Sequence, residues 1–161
     1  MMGAMEIFVV RHGVAEPVSA TADAERSLSR AGKHVLRRQV RLWKKLGLRA
    51  EACFCSPLLR TRQTADILRI GGFYKGKKVI TEDLAPGTNS ERLITFLSQL
   101  SYQHVVLVGH NPSLPRFCQS ALNGPPIFDM APGTLVHLRW NDAHHSPLAE
   151  LLGLIRPYDL P

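Results

Sequence analysis

The sequence predicts an α/β fold built on a largely parallel sheet with helices on both sides. Two observations carry this. Short apolar runs of strand length alternate along the chain with longer segments of helical periodicity, from residue 6 to residue 155. The run His104 to Val108 is also nearly continuous in apolar residues, as expected of a strand covered on both faces rather than one.

Taken in order, the first strand covers residues 6–10 (Glu6-Ile7-Phe8-Val9-Val10), followed by a polar loop to about Ser29. A helix is predicted over 30–46, with Val35, Leu36, Val40, Trp43 and Leu46 recurring at helical spacing and Gly47 ending it. A second strand covers 50–55. Ser56 then reads as an N-cap with Pro57 at the first helical position, opening a helix through Ile70 that stops at Gly71-Gly72. A strand near 78–81 leads into the loop Glu82 to Asn89. Ser90 is predicted to cap a helix through Leu100, with Leu93, Ile94 and Leu97 inward. After the strand 104–108, Pro112 opens a helix that closes near Asn123-Gly124-Pro125-Pro126. Residues 134–140 alternate, and 149–155 give the last strand.

At 161 residues and 45% hydrophobic, the chain suits one domain spanning 1–161. No apolar run is long enough to span a bilayer, which argues against a membrane location. The opening Met1-Met2-Gly3-Ala4-Met5 lacks the basic region and long apolar stretch of a signal peptide, so the expected location is cytoplasmic. Cys53 and Cys55 share one face of a strand and Cys118 stands in a later helix. They read as buried structural thiols, with redox or metal binding as the alternatives.

The formal net charge of +7 admits an acidic partner without naming one. Much of it falls in the predicted helix, on Arg30, Lys33, Arg37, Arg38, Arg41, Lys44 and Lys45. That segment reads as a solvated face or as a docking face for an acidic protein or nucleic acid. No aromatic residues alternate with the charges, which argues against a single-strand-binding surface.

Three strand ends carry the chemistry. Arg11-His12-Gly13 follows the first strand, Ser56-Pro57-Leu58-Leu59-Arg60-Thr61-Arg62-Gln63-Thr64 follows the second, and Gly109-His110-Asn111-Pro112 follows the central one. In open α/β sheets ligands sit beyond the carboxyl ends of the strands. Arg11 and Arg60 supply planar forks suited to phosphate, and the helix after Pro57 adds a positive N-terminus. A neutral imidazole is a competent nucleophile toward phosphorus. Positive charge around His12 is expected to lower its pKa, and Gly13 to let substrate and backbone approach closely. This chemistry calls for no metal or other cofactor. His34, His104, His137, His144 and His145 match no motif and read as structural or solvated.

In order and spacing these motifs resemble the histidine phosphatase superfamily, whose fold is the three-layer α/β/α sandwich called phosphoglycerate mutase-like. Compactness and the Leu84-Ala85-Pro86-Gly87 loop are similar to the SixA-type phosphohistidine phosphatases in particular. The resemblance implies that His12 is the phosphorylated nucleophile and that Arg11 and Arg60 bind phosphate. It makes His110 a donor to a phosphoryl oxygen and gives Asn111 a structural role at the turn. Arg62 faces either pocket or solvent. Many superfamily members protonate the leaving oxygen with a mid-chain carboxylic acid in a Glu-containing stretch that this sequence lacks, although Glu82, Asp83 and Glu91 lie near the right region. A labile P–N bond needs less acid help than an alkoxide. The expectation is therefore hydrolysis of phosphohistidine on a signalling or phosphotransfer protein, in an open pocket, with residues 14–27 either mobile or forming its rim. The alternatives are a small-molecule phosphatase or mutase acting on sugar or nucleotide phosphates, and a non-catalytic phosphoprotein-binding module.

Overall fold

The computed structural model describes residues 4–125, 130–141 and 147–157; His144, His145, Pro126 and the residues 1–3 of the start lie outside them. Its centre is a six-stranded sheet of β1 (Met5–Arg11), β2 (Ala52–Cys55), β3 (Lys78–Ile80), β4 (His104–Gly109), β5 (Leu135–Trp140) and β6 (Ala149–Ile155). The strand order is β3-β2-β4-β1-β5-β6. The first four in that order run parallel, and β5 and β6 are added antiparallel beside β1. The expected largely parallel sheet is therefore present, with an antiparallel flank.

Alternation along the strands sorts the core into two layers. Phe8, Val10, Cys53, Cys55, Val106 and Val108 face α1 (Arg30–Lys45) and α2 (Leu59–Ile70), where Leu36, Val40, Trp43 and Leu68 close the layer. Ile7, Val9, Ala52, Phe54, Val105 and Leu107 face α3 (Ser90–Ser98) and α4 (Ser113–Leu122). Both faces of β1 and β4 are thus dry, which explains their unbroken apolar sequence. All three cysteines are buried and free, and burial pushes the thiols up, Cys55 to about 11 and Cys118 to about 12. They are inert packing groups, as the sequence suggested.

Helix ends follow local chemistry. Ser29 caps α1 by accepting from the Gly32 N–H at 2.9 Å, and Gly47 leaves it at φ +81°. Two expected caps are corrected. Asn89, not Ser90, caps α3, its side chain accepting from the Arg92 N–H at 2.8 Å, and that helix stops at Ser98, short of Leu100. Ser56 does not cap α2 from beside a first-turn Pro57: α2 starts at Leu59, and Leu58 precedes it without a side-chain cap. The Ser56 hydroxyl instead accepts from the N–H of Leu58, the residue before the helix, and lies 2.8 Å from a histidine at the end of the neighbouring strand β4.

Candidate active site

Arg11, His12, Ser56 and His110 all stand at the carboxyl end of a parallel strand, and Arg60 stands in the first turn of α2 just beyond β2. With β1 and β4 adjacent and in register, Arg11 lies opposite Gly109, and the His12 N–H bonds the Gly109 carbonyl at 3.1 Å. Parallel pairing of neighbouring strands thus brings together residues far apart in the chain. The imidazoles of His12 and His110 lie 5.3 Å apart between centroids. They open into a cleft of about 330 Å³ that is also lined by Arg11, Arg26, Arg60, Pro86 and Asn111.

His12 is held in one orientation. Its Nδ1 lies 2.7 Å from the Gly13 carbonyl, an acceptor, so Nδ1 carries the proton and Nε2 keeps its lone pair. The Arg60 Nε–H points at that Nε2 from 3.3 Å. Burial is the largest influence and lowers the His12 pKa from 6.5 to about 4; the Gly13 bond, next in size, opposes it, and the charges of Arg60, Arg11 and Arg26 add to the lowering. The expected direction is correct, but desolvation outweighs the arginines as its cause. Burial followed by the neighbouring His12 lowers His110 to about 3.

Both rings are thus neutral at pH 7. In the unfolded chain they take up protons near 6.5, whereas in the fold they do so only near 4 and 3, so protonation favours unfolding. Stability from these two groups is therefore expected to fall as pH drops from about 6.5 toward 4. A melting series over that range checks this, and an NMR titration of the His12 ring should give a midpoint near 4; a midpoint near 6.5 would contradict the burial argument.

His110 is positioned by Ser56, whose Oγ lies 2.8 Å from His110 Nε2. The same hydroxyl accepts from the Leu58 N–H at 3.3 Å, so its own proton is available to donate to Nε2. Nδ1 of His110 then carries the ring proton; it is buried and is the ring's one N–H, without a partner among the described residues. We expect Ser56→Ala to lower kcat about tenfold, the cost of losing one orienting hydrogen bond, with little change in fold. Unchanged kcat would remove this positioning role.

The tail of the second motif has a role that local sequence does not disclose. Thr64 Oγ1 accepts from the Gly13 N–H at 3.2 Å and donates to the Arg60 carbonyl at 2.7 Å. Gln63 Oε1 accepts from the Leu28 N–H at 2.7 Å. Gln63 and Thr64 thus tie β1's exit and the following loop to α2. Gly13 is needed for packing rather than for substrate: a Cβ there would meet Leu36 Cδ1 at 2.5 Å and Leu28 Cδ2 at 3.4 Å. Arg62 is not among the residues lining the cleft.

Of residues 14–27, Val14, Ala15 and Arg26 line the cleft. Ala15 and Leu28 bridge the loop's ends, and a 3-10 turn at Asp23–Glu25 folds against α2. Asp23 accepts from Arg60 through both its carbonyl, at 2.9 Å, and its carboxylate, at 3.1 Å. Burial alone would raise the Asp23 carboxyl, yet hydrogen bonds and attraction from Arg60 and Arg26 hold it below the usual range. The sequence gives no sign of Asp23 and Arg26, because nothing in a polar loop signals which residues fold back onto a helix.

No carboxylate lines the cleft among the described residues. Asp83 is bound to Arg92 at 2.7 Å and to the Thr81 hydroxyl at 2.8 Å, and those bonds keep its carboxyl below its ordinary range, the wrong state for a proton donor. Glu82 and Glu91 are exposed and also lie outside the cleft lining. Asn111 lines the cleft and gives an N–H to the Met130 carbonyl at 3.3 Å, as Arg11 does at 2.8 Å. Among the described residues no group of three or more His, Cys, Asp or Glu could hold a metal ion.

No family model matches the chain. An uncharacterized protein of Picosynechococcus sp. is 31% identical over 124 residues, 74% of each chain. The protein histidine phosphatase SixA, solved with tungstate, superposes with a TM-score of 0.89 at 19% identity, covering 98% of this chain and 100% of that one. A phosphoserine phosphatase variant from Entamoeba histolytica, in complex with phosphoserine, superposes at 0.72 with 12% identity, covering 98% of this chain and 100% of that one. The chain therefore belongs to one family with the Picosynechococcus protein, and its fold is that of the histidine phosphatases in their compact, SixA-type form.

Proposed function

We propose that the chain is a cytoplasmic phosphatase that removes the phosphoryl group from phosphohistidine in a protein, working as one catalytic domain. The observation that carries this reading is the 2.7 Å contact of His12 Nδ1 with the Gly13 carbonyl, which assigns the ring proton to Nδ1 and leaves Nε2 its lone pair beside Arg60 in the arginine-lined cleft. In the first step Nε2 attacks phosphorus in line, forming a new P–N bond as the substrate's P–N bond breaks. Arg11, Arg60 and His110 hold the equatorial oxygens, and the leaving imidazole takes its proton from solvent. Water then cleaves phospho-His12, releasing inorganic phosphate and restoring the ring.

Two features favour phosphohistidine over an alkyl phosphate. General acid catalysis is commonly worth ~10²–10⁴-fold, and the cleft's described lining offers no carboxylic acid to an alkoxide. The cleft is also open, which suits a group presented on another protein. A second reading, hydrolysis of a small phosphoester, draws on the fold shared with the phosphoserine phosphatase. A pure binding module would have no use for a nucleophile held in its reactive tautomer. Phosphate release from a phosphohistidine protein, a phosphoserine peptide and a sugar phosphate, measured side by side, separates these readings. Preferential release from phosphohistidine is the expected result; preference for the sugar phosphate would overturn it.

A further inference from the structure

Helix α1 holds seven of the chain's 20 Lys and Arg and none of its 13 Asp and Glu, so this one helix accounts for the whole net charge of +7. At 100° per residue the seven cations fall within an arc of roughly 140°. Arg30, Arg37, Arg38, Arg41 and Lys45 are exposed along it. The charge runs against helix stability at its start. Arg30 and Lys33 stand in the first turn, where the macrodipole disfavours cations, and no acidic residue accompanies them.

The stripe begins at the cleft. Ser29, the α1 cap, bonds the Val14 carbonyl through its N–H at 2.9 Å, and Val14 lines the cleft together with Arg26. From there the positive surface runs down α1, which is about 24 Å long at 1.5 Å per residue. We propose that this stripe is a docking and steering surface for an acidic protein that presents its phosphorylated histidine to the cleft. The inference rests on the proposed function for its phosphorylated group, and on charge complementarity for its partner. A membrane surface is a poorer match, because Leu36, Val40 and Trp43 are buried in the core and leave α1 no apolar face to insert. A nucleic acid is a poorer match because no Phe, Tyr or Trp stands among the exposed cations for bases to stack on, His34 being the one ring on that face.

The test uses the triple variant Arg30→Glu, Arg37→Glu, Arg41→Glu, and two substrates. One is a histidine-phosphotransfer domain of strongly negative net charge, phosphorylated chemically; the other is a short neutral phosphohistidine peptide. We expect kcat/KM on the acidic domain to fall at least about tenfold in the variant, and the salt sensitivity seen with the wild-type enzyme on that substrate to flatten. Turnover of the neutral peptide should be unchanged. Equal losses on both substrates, or no loss on either, would overturn the proposal. If the wild-type protein hydrolyses neither substrate, the phosphohistidine reading fails by itself. Docking is then read from binding of the unphosphorylated domain: salt-sensitive binding lost in the variant upholds it, and absence of binding overturns it. Tighter binding to anionic vesicles or to an oligonucleotide than to the acidic domain would also overturn the assignment of a protein partner.

Discussion

His12→Ala is expected to lower turnover of phosphohistidine by at least about 10⁴-fold, the scale of losing a covalent nucleophile. Other groups in the cleft do not replace it. His110 is turned to Ser56 through Nε2 and protonated on Nδ1, so it offers phosphorus no lone pair. The substitution also removes a neutral buried ring rather than an ion, so no uncompensated charge is left behind. The variant should therefore fold, and retained binding of inorganic phosphate or tungstate would show an intact cleft. Near-normal turnover in a folded variant would end the nucleophile assignment.

Arg60→Ala is expected to lower kcat/KM by ~10²–10³-fold, about 2.7–4 kcal/mol, as for removing a preorganised donor to developing charge. Arg60 serves several partners at once. Its Nε–H meets His12 Nε2, while Nη1 and Nη2 bond the Asp23 carbonyl and carboxylate. It is nearly dry, at 5% exposure, so its charge acts with little screening. Arg60→Lys should recover only part of the loss, since an ammonium keeps charge but cannot span His12 and Asp23 with a planar fork. Kinetics on both variants check this, and an Arg60→Ala enzyme with unchanged kcat/KM would rule out the role.

Much of this is legible in the sequence because the relevant signals are local. Apolar runs mark the buried strands, and the residues just after them mark the end of the sheet where the cleft opens. Arg11, His12, Arg60 and His110 follow from that rule once their residue types are considered. What is not legible depends on contacts distant in the chain. Ser56 has the sequence context of a helix cap, yet its hydroxyl goes to His110, 54 residues away. Gly13 suggests room for a ligand, yet the side chains of Leu28 and Leu36 occupy the space. Asp23 and Arg26 sit in a polar loop whose return onto α2 is fixed by Gln63 and by Arg60 itself, and no periodicity announces such a return. The leading cause of the His12 pKa shift is hidden in the same way, because arginines are visible in a sequence and burial depth is not.

In the proposed reaction the phosphoryl group passes through a covalent bond to His12 Nε2. The most direct measurement is rapid quenching of the first turnover with a radiolabelled phosphohistidine protein, followed by mapping of any label on the enzyme. The expected result is an acid-labile, alkali-stable phosphoryl group on His12 that forms before free phosphate and decays at the rate of its release. Full-rate phosphate release with no label on His12 at any time would contradict it.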